Sequence, residues 1–122
     1  MLTPAAYGLA IVLDLFVILI GVRFLLAPRV AAVGYGVPAE EGAAAYLSVK
    51  GVRDTTFGVL GIALLAFVGA QAAAWFMLVV ALAPLGDTLI VLRHGGTKAT
   101  AFGVHLATAV VVLVSAALLF AV

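Results

Sequence analysis

Residues 43–67 read AAAYLSVKGVRDTTFGVLGIALLAF, and the fold turns on whether this stretch crosses a bilayer. It is long enough, since about 20 predominantly apolar residues cover the roughly 30 Å hydrocarbon core. Lys50, Arg53 and Asp54 argue the other way. On insertion scales a central charge costs roughly 2.5–3.5 kcal/mol, whereas each Leu, Ile, Phe or Val returns about 0.3–0.6. The ten such residues from Leu47 to Phe67 return about 3–6 kcal/mol against roughly 7–10 for three charges, less what Lys50 saves by extending toward the interface. Alone, the segment is marginal. Its charges require partners on other helices, hydration from the cytoplasm or neutralisation.

The flanking sequence supplies those helices. The chain has 122 residues, 67% hydrophobic and 9% charged, with a mean hydropathy of +1.40; a soluble domain holds about 45–50% apolar residues. Three further stretches are long and apolar enough to span: about 5–27, ending at Pro28, then 72–92 and 99–121. The connections VGAQ (68–71) and RHGGTK (93–98) are short, which forces antiparallel neighbours. The expectation is an all-α integral membrane protein, one domain over 1–122, with four transmembrane helices in an up-down-up-down bundle. PRVAAVGYGVPAEEG (28–42), rich in Gly and Pro and carrying both glutamates, reads as a loop. The N-terminus MLTPAAYGLA has no Lys or Arg and its apolar run continues past the length of a signal sequence, so it reads as a retained span.

Charge distribution sets orientation and excludes several functions. A formal net charge of +1 gives no basic surface for nucleic acid. The absence of cysteine removes disulfides, thiol nucleophiles and thiolate metal sites. All six Lys and Arg residues belong to the half of the bundle containing the first and third loops, and the end with both termini and VGAQ has none. Positive charge marks the cytoplasmic side. This predicts a plasma (inner) membrane protein of a bacterium with both termini outside, and with membrane lipid as its first partner. Arg23, Arg29, Arg93 and Lys98 read as boundary residues facing lipid phosphates.

Depth brings the remaining ionisable groups together. At 1.5 Å per residue, Asp14 lies roughly 13 Å from the cytoplasmic boundary, Lys50 about 12 Å, Arg53 and Asp54 about 16–18 Å, and Asp87 and His105 about 9 Å. Four helices thus feed one layer. Tyr46, Lys50, Arg53 and Phe57 form one helical stripe, and Gly51, Asp54, Gly58 and Gly61 an adjacent one. The glycine side is suited to close packing, and the other presents cations and a phenol to the interior. Pro84, three residues before Asp87, frees a carbonyl near Val80 and bends the helix toward the cavity. No HxxxH or ExxH spacing appears, and Lys50 and Arg53 would repel a cation, so no metal or other cofactor is expected.

GVRFLLAP, YGVP, YLSVKGVRDTTFGVL and APLGDTLIVLRHGG, followed by a later histidine, together resemble the domain of unknown function 4267 family of small four-span membrane proteins. More loosely, the chain is similar to DoxX-like four-helix membrane proteins. The resemblance implies the fold and marks Arg53, Asp54 and Asp87 as motif positions, and it supplies no reaction. The residues themselves suggest a pocket that binds a small lipophilic ligand. In it Asp54, Asp87 and His105 serve as candidate acid–base groups, and Asp14, Tyr46, Lys50 and Arg53 as binding groups. Isomerisation, cyclisation or epoxide opening would suit such groups. The alternatives are a proton- or ion-coupled transporter acting as a homo-oligomer, and an accessory membrane subunit without chemistry.

Overall fold

The computed structural model describes residues 1–40 and 42–122; Glu41, one of the two glutamates of the first loop, lies outside the described residues. Those residues form helices and connections, with no strand among them. Helix α1 is Leu2–Leu26, α2 is Pro28–Tyr35 and α3 is Ala44–Phe67. Helix α4, Ala70–Arg93, consists of the stretches Ala70–Val80 and Leu82–Arg93 joined at Ala81. Helix α5, Lys98–Phe120, contains a π-helical segment, Ala101–Leu106. Helices α1, α4 and α5 are long and apolar enough to cross a membrane, which marks a membrane protein. Helix α3 matches them in length but carries Lys50, Arg53 and Asp54.

The first loop differs from its sequence reading. Pro28 ends α1 and also begins α2, because a proline in the first helical turn gives up no hydrogen bond. Gly36, at φ 105°, closes α2 in the left-handed conformation, its amide donating to the carbonyls of Ala32 and Val33. Ala31 and Ala32 are buried beside Phe24, with Ile20, Tyr35 and Leu47 packed against them, so α2 folds back over one end of α1 and α3.

A second, larger core closes the opposite end. Ala6 and Ala10 of α1, Leu65 of α3, Ala73, Ala74 and Met77 of α4, and Val112, Ala116 and Leu119 of α5 form one buried cluster. The starts of α1 and α4 therefore meet the ends of α3 and α5 there. Small alanines let the four helices approach closely.

Helices α1 and α3 make the most extensive pairing. At their crossing Gly21 faces Gly51 so closely that a Cβ on Gly51 would stand 2.7 Å from the Gly21 carbonyl oxygen. That contact fixes the register. Asp14, seven residues before Gly21, falls opposite Gly58, seven after Gly51. Helical side chains lean toward their own N-terminus, and the Asp14 carboxyl accordingly abuts Gly61. Between the two cores lies a cavity.

Candidate functional site

The cavity has a volume of about 140 Å³ and draws on every helix. Its walls are mostly apolar, among them Leu13, Val17, Phe76, Met77, Val80 and Val112. Tyr35, Lys50, Asp54, Asp87 and His105 line it as well, and Asp14 does so separately.

Tyr35 is the hub of the polar end. Its phenol donates to Asp87 Oδ1 at 2.8 Å, its carbonyl accepts from His105 Nε2 at 2.7 Å, and its ring lies 4.6 Å from the imidazole, centroid to centroid. A carbonyl can only accept, so Nε2 carries the hydrogen, and in the neutral ring Nδ1 is the basic nitrogen. That nitrogen faces Asp87 Oδ2 across 3.9 Å, too long for a direct hydrogen bond. Burial, then the Asp87 carboxylate, its hydrogen bond and the farther Asp54 push the Tyr35 phenol well above the usual tyrosine range, so it remains a donor.

Lys50 donates to Asp54 Oδ2 at 2.6 Å, an i to i+4 pair along α3. The ammonium also stands 4.8 Å from the Phe24 ring centroid and 5.4 Å from that of Tyr35, within cation–π range. Two of the three charges that burdened α3 thus neutralise each other beside the cavity. The third leaves it: Arg53 is exposed and does not line the cavity.

The inward stripe of α3 is therefore Lys50, Asp54, Phe57 and Gly61, rather than one running through Tyr46 and Arg53. Arg53 is turned about 60° from Lys50, away from the glycine flank, and its long side chain can reach outward. Tyr46, in the first turn of α3, is 80% exposed, beyond the cavity. The phenol in the site belongs to Tyr35, the last residue of α2, within a stretch whose Gly and Pro content predicts a loop. Proline at the start and glycine after the end of 28–35 were the available signal for a short helix terminating in Tyr35.

Asp14 sits deeper than its counted depth suggests. Lying against Gly61, it is two turns, about 10 Å, beyond Asp54 along α3. It is 2% exposed, and its Oδ2 has no hydrogen-bond partner among the described residues.

Two irregularities in the long helices fall at this site. Pro84 cannot donate to the Val80 carbonyl, the helix breaks at Ala81, and Val80, Pro84 and Asp87 all line the cavity. The π-helical segment of α5 carries His105 and packs against Leu82–Arg93, the part of α4 that bears Asp87. Beside it a second, open groove between α1 and α5 is lined by Leu13, Phe16, Gly103, Val104, Ala107, Thr108 and Val111. Four of these residues, Leu13, Phe16, Val104 and Thr108, also line the cavity.

Fold and site together define a small all-α membrane protein with a polar cluster at one end of an apolar cavity. The chain belongs to the family described as domain of unknown function (DUF4267), which it matches over residues 15–119. No curated protein and no solved structure matches it.

Proposed function

We propose that this chain is a four-span, up-down-up-down integral protein of the plasma (inner) membrane that binds a small lipophilic molecule in the cavity and performs acid–base chemistry on it. The carrying observation is the convergence of Tyr35, Lys50, Asp54, Asp87 and His105 on one otherwise apolar cavity. Such a combination of greasy walls and a few convergent polar groups is what small-molecule sites present. The Lys50–Asp54 pair supports α3 as the fourth span, since pairing removes much of the penalty for burying either charge. In the proposed orientation both termini are outside and residues 28–42 and 93–98 are cytoplasmic, in keeping with the placement of Lys and Arg.

In this reading His105 is the base. With Nε2 held by the Tyr35 carbonyl, Nδ1 accepts a proton from the ligand, and the imidazolium so formed is stabilised by Asp87 at its side. The Tyr35 phenol keeps Asp87 oriented. Lys50 supplies a cation toward a carbonyl or developing oxyanion, its position fixed by Asp54 and the two aromatic rings.

Mild purification followed by native mass spectrometry is expected to find a reproducible small molecule bound. Asp54→Asn and Asp87→Asn should each lose it, or lose turnover, while folding persists. Retention of ligand and function in both variants would overturn the proposal.

A further inference from the structure

Asp14 belongs to the cavity but not to its polar cluster. The cations of α3 lie well away from it: Arg53 and Lys50 are eight and eleven residues from Gly61, about 12 and 16 Å along the axis, and Arg53 is turned outward. Of the residues lining the cavity with it, Leu13, Val17, Met77 and Val112 offer no side-chain donor, and the Thr108 hydroxyl is committed to the Val104 carbonyl. A buried carboxyl oxygen without a donor is costly to leave unmade. A lone water would need two to four polar partners to be held well, and these walls supply few.

A group with an O–H or N–H suits Asp14 in either protonation state. An ionised carboxylate only accepts, and a protonated one accepts at its carbonyl oxygen while its own O–H seeks an acceptor, which the oxygen or nitrogen of the same group supplies. The cavity as a whole, about 140 Å³, is close to the roughly 150 Å³ of engineered cavities that hold benzene.

Resting on the reading of this cavity as a small-molecule site, we infer that its ligand carries an O–H or N–H donor, an alcohol or an amine, on an apolar body about the size of a benzene ring, and that this donor is received by Asp14. The polar cluster then meets the other end of the ligand. Asp14 is a binding residue in this scheme, and the chemistry stays with His105 and Asp87.

Fluorine NMR of the full chain in mild detergent, with para-fluorotoluene, para-fluorobenzyl alcohol and para-fluorobenzylamine as probes, tests this. The wild-type protein should hold the alcohol or the amine roughly five- to tenfold more tightly than the toluene, the worth of one net hydrogen bond. Asp14→Leu, which keeps the shape of the side chain and removes its acceptors, should bind the toluene at least as well and lose the preference. Asp14→Asn, which retains one acceptor oxygen, should keep the preference for the alcohol. Equal binding of toluene, alcohol and amine by the wild type, or a preference that survives in Asp14→Leu, overturns the assignment while leaving the pocket reading intact. Failure of all three probes to bind overturns both.

Discussion

Tyr35 joins three groups by three different parts of one residue: the phenol to Asp87, the carbonyl to His105, the ring face to Lys50. Tyr35→Phe keeps the ring and the carbonyl but strips Asp87 of its donor, and unfolding in detergent should show a loss of about 1–2 kcal/mol. Because burial, and then the neighbouring Asp87 carboxylate, oppose formation of a phenolate, Tyr35 should ionise above the ordinary tyrosine range. Asp87→Asn should therefore lower its titration midpoint, read as the ultraviolet phenolate signal of the protein minus that of its Tyr35→Phe counterpart. An unchanged midpoint would mean that Asp87 is not the dominant neighbour. At the other end of the cavity, a Cβ on Gly61 would collide with the Asp14 carboxyl. Gly61→Ala should destabilise the protein by about 1–3 kcal/mol, and by less when Asp14 is replaced by Ala; additive losses would break the claimed contact.

At the scale of elements, the short helix α2 is what positions Tyr35. It is anchored through Gly36, where a Cβ would stand 2.8 Å from the Thr100 side chain and 3.2 Å from that of Val91, at a φ that L-residues rarely adopt. Gly36→Ala should loosen α2, visible as faster proteolysis within 28–43 and weaker ligand retention; wild-type protection would show that α2 is held by other contacts. The long helices were legible because uninterrupted apolar runs leave few alternatives, and observed ends lie within two or three residues of the expected ones. Helix α2 was not, since eight residues are too few for a period and Gly and Pro read equally as loop. The π-helical segment had no signature at all. AFGVHL gives an α-helical pattern, and its widened turn arises where α5 packs on the second half of α4.

For the whole molecule, the charges in 43–67 pointed to an interior site, and the counted depths brought Asp14, Lys50, Arg53, Asp54, Asp87 and His105 to one layer; Lys50, Asp54, Asp87 and His105 line one cavity, with Tyr35 in place of Tyr46 and Asp14 at a deeper level, while Arg53 lies outside it. Counting from helix ends misjudged Asp14 because depth follows the Gly21–Gly51 crossing rather than the distance to Arg23. Angle along α3 was equally decisive: a rotation of about 60° separates Arg53 from the cavity-lining Lys50. The proposed orientation predicts that a cysteine in place of Ala70 is labelled from outside the cell, and one in place of Gly95 only after the cytoplasm is opened. The reverse pattern would invert the topology.

For the proposed lipophilic ligand, the groove between α1 and α5 has a kinetic consequence. It adjoins the cavity through Leu13, Phe16, Val104 and Thr108, and it faces outward from the helices rather than toward either end, where α2 and the alanine core stand. A molecule arriving by this route makes a two-dimensional search within a leaflet and never re-enters water. The rate at which the cavity fills then follows the mole fraction of that molecule among the lipids, so that adding empty lipid slows filling even when the aqueous phase is left unchanged.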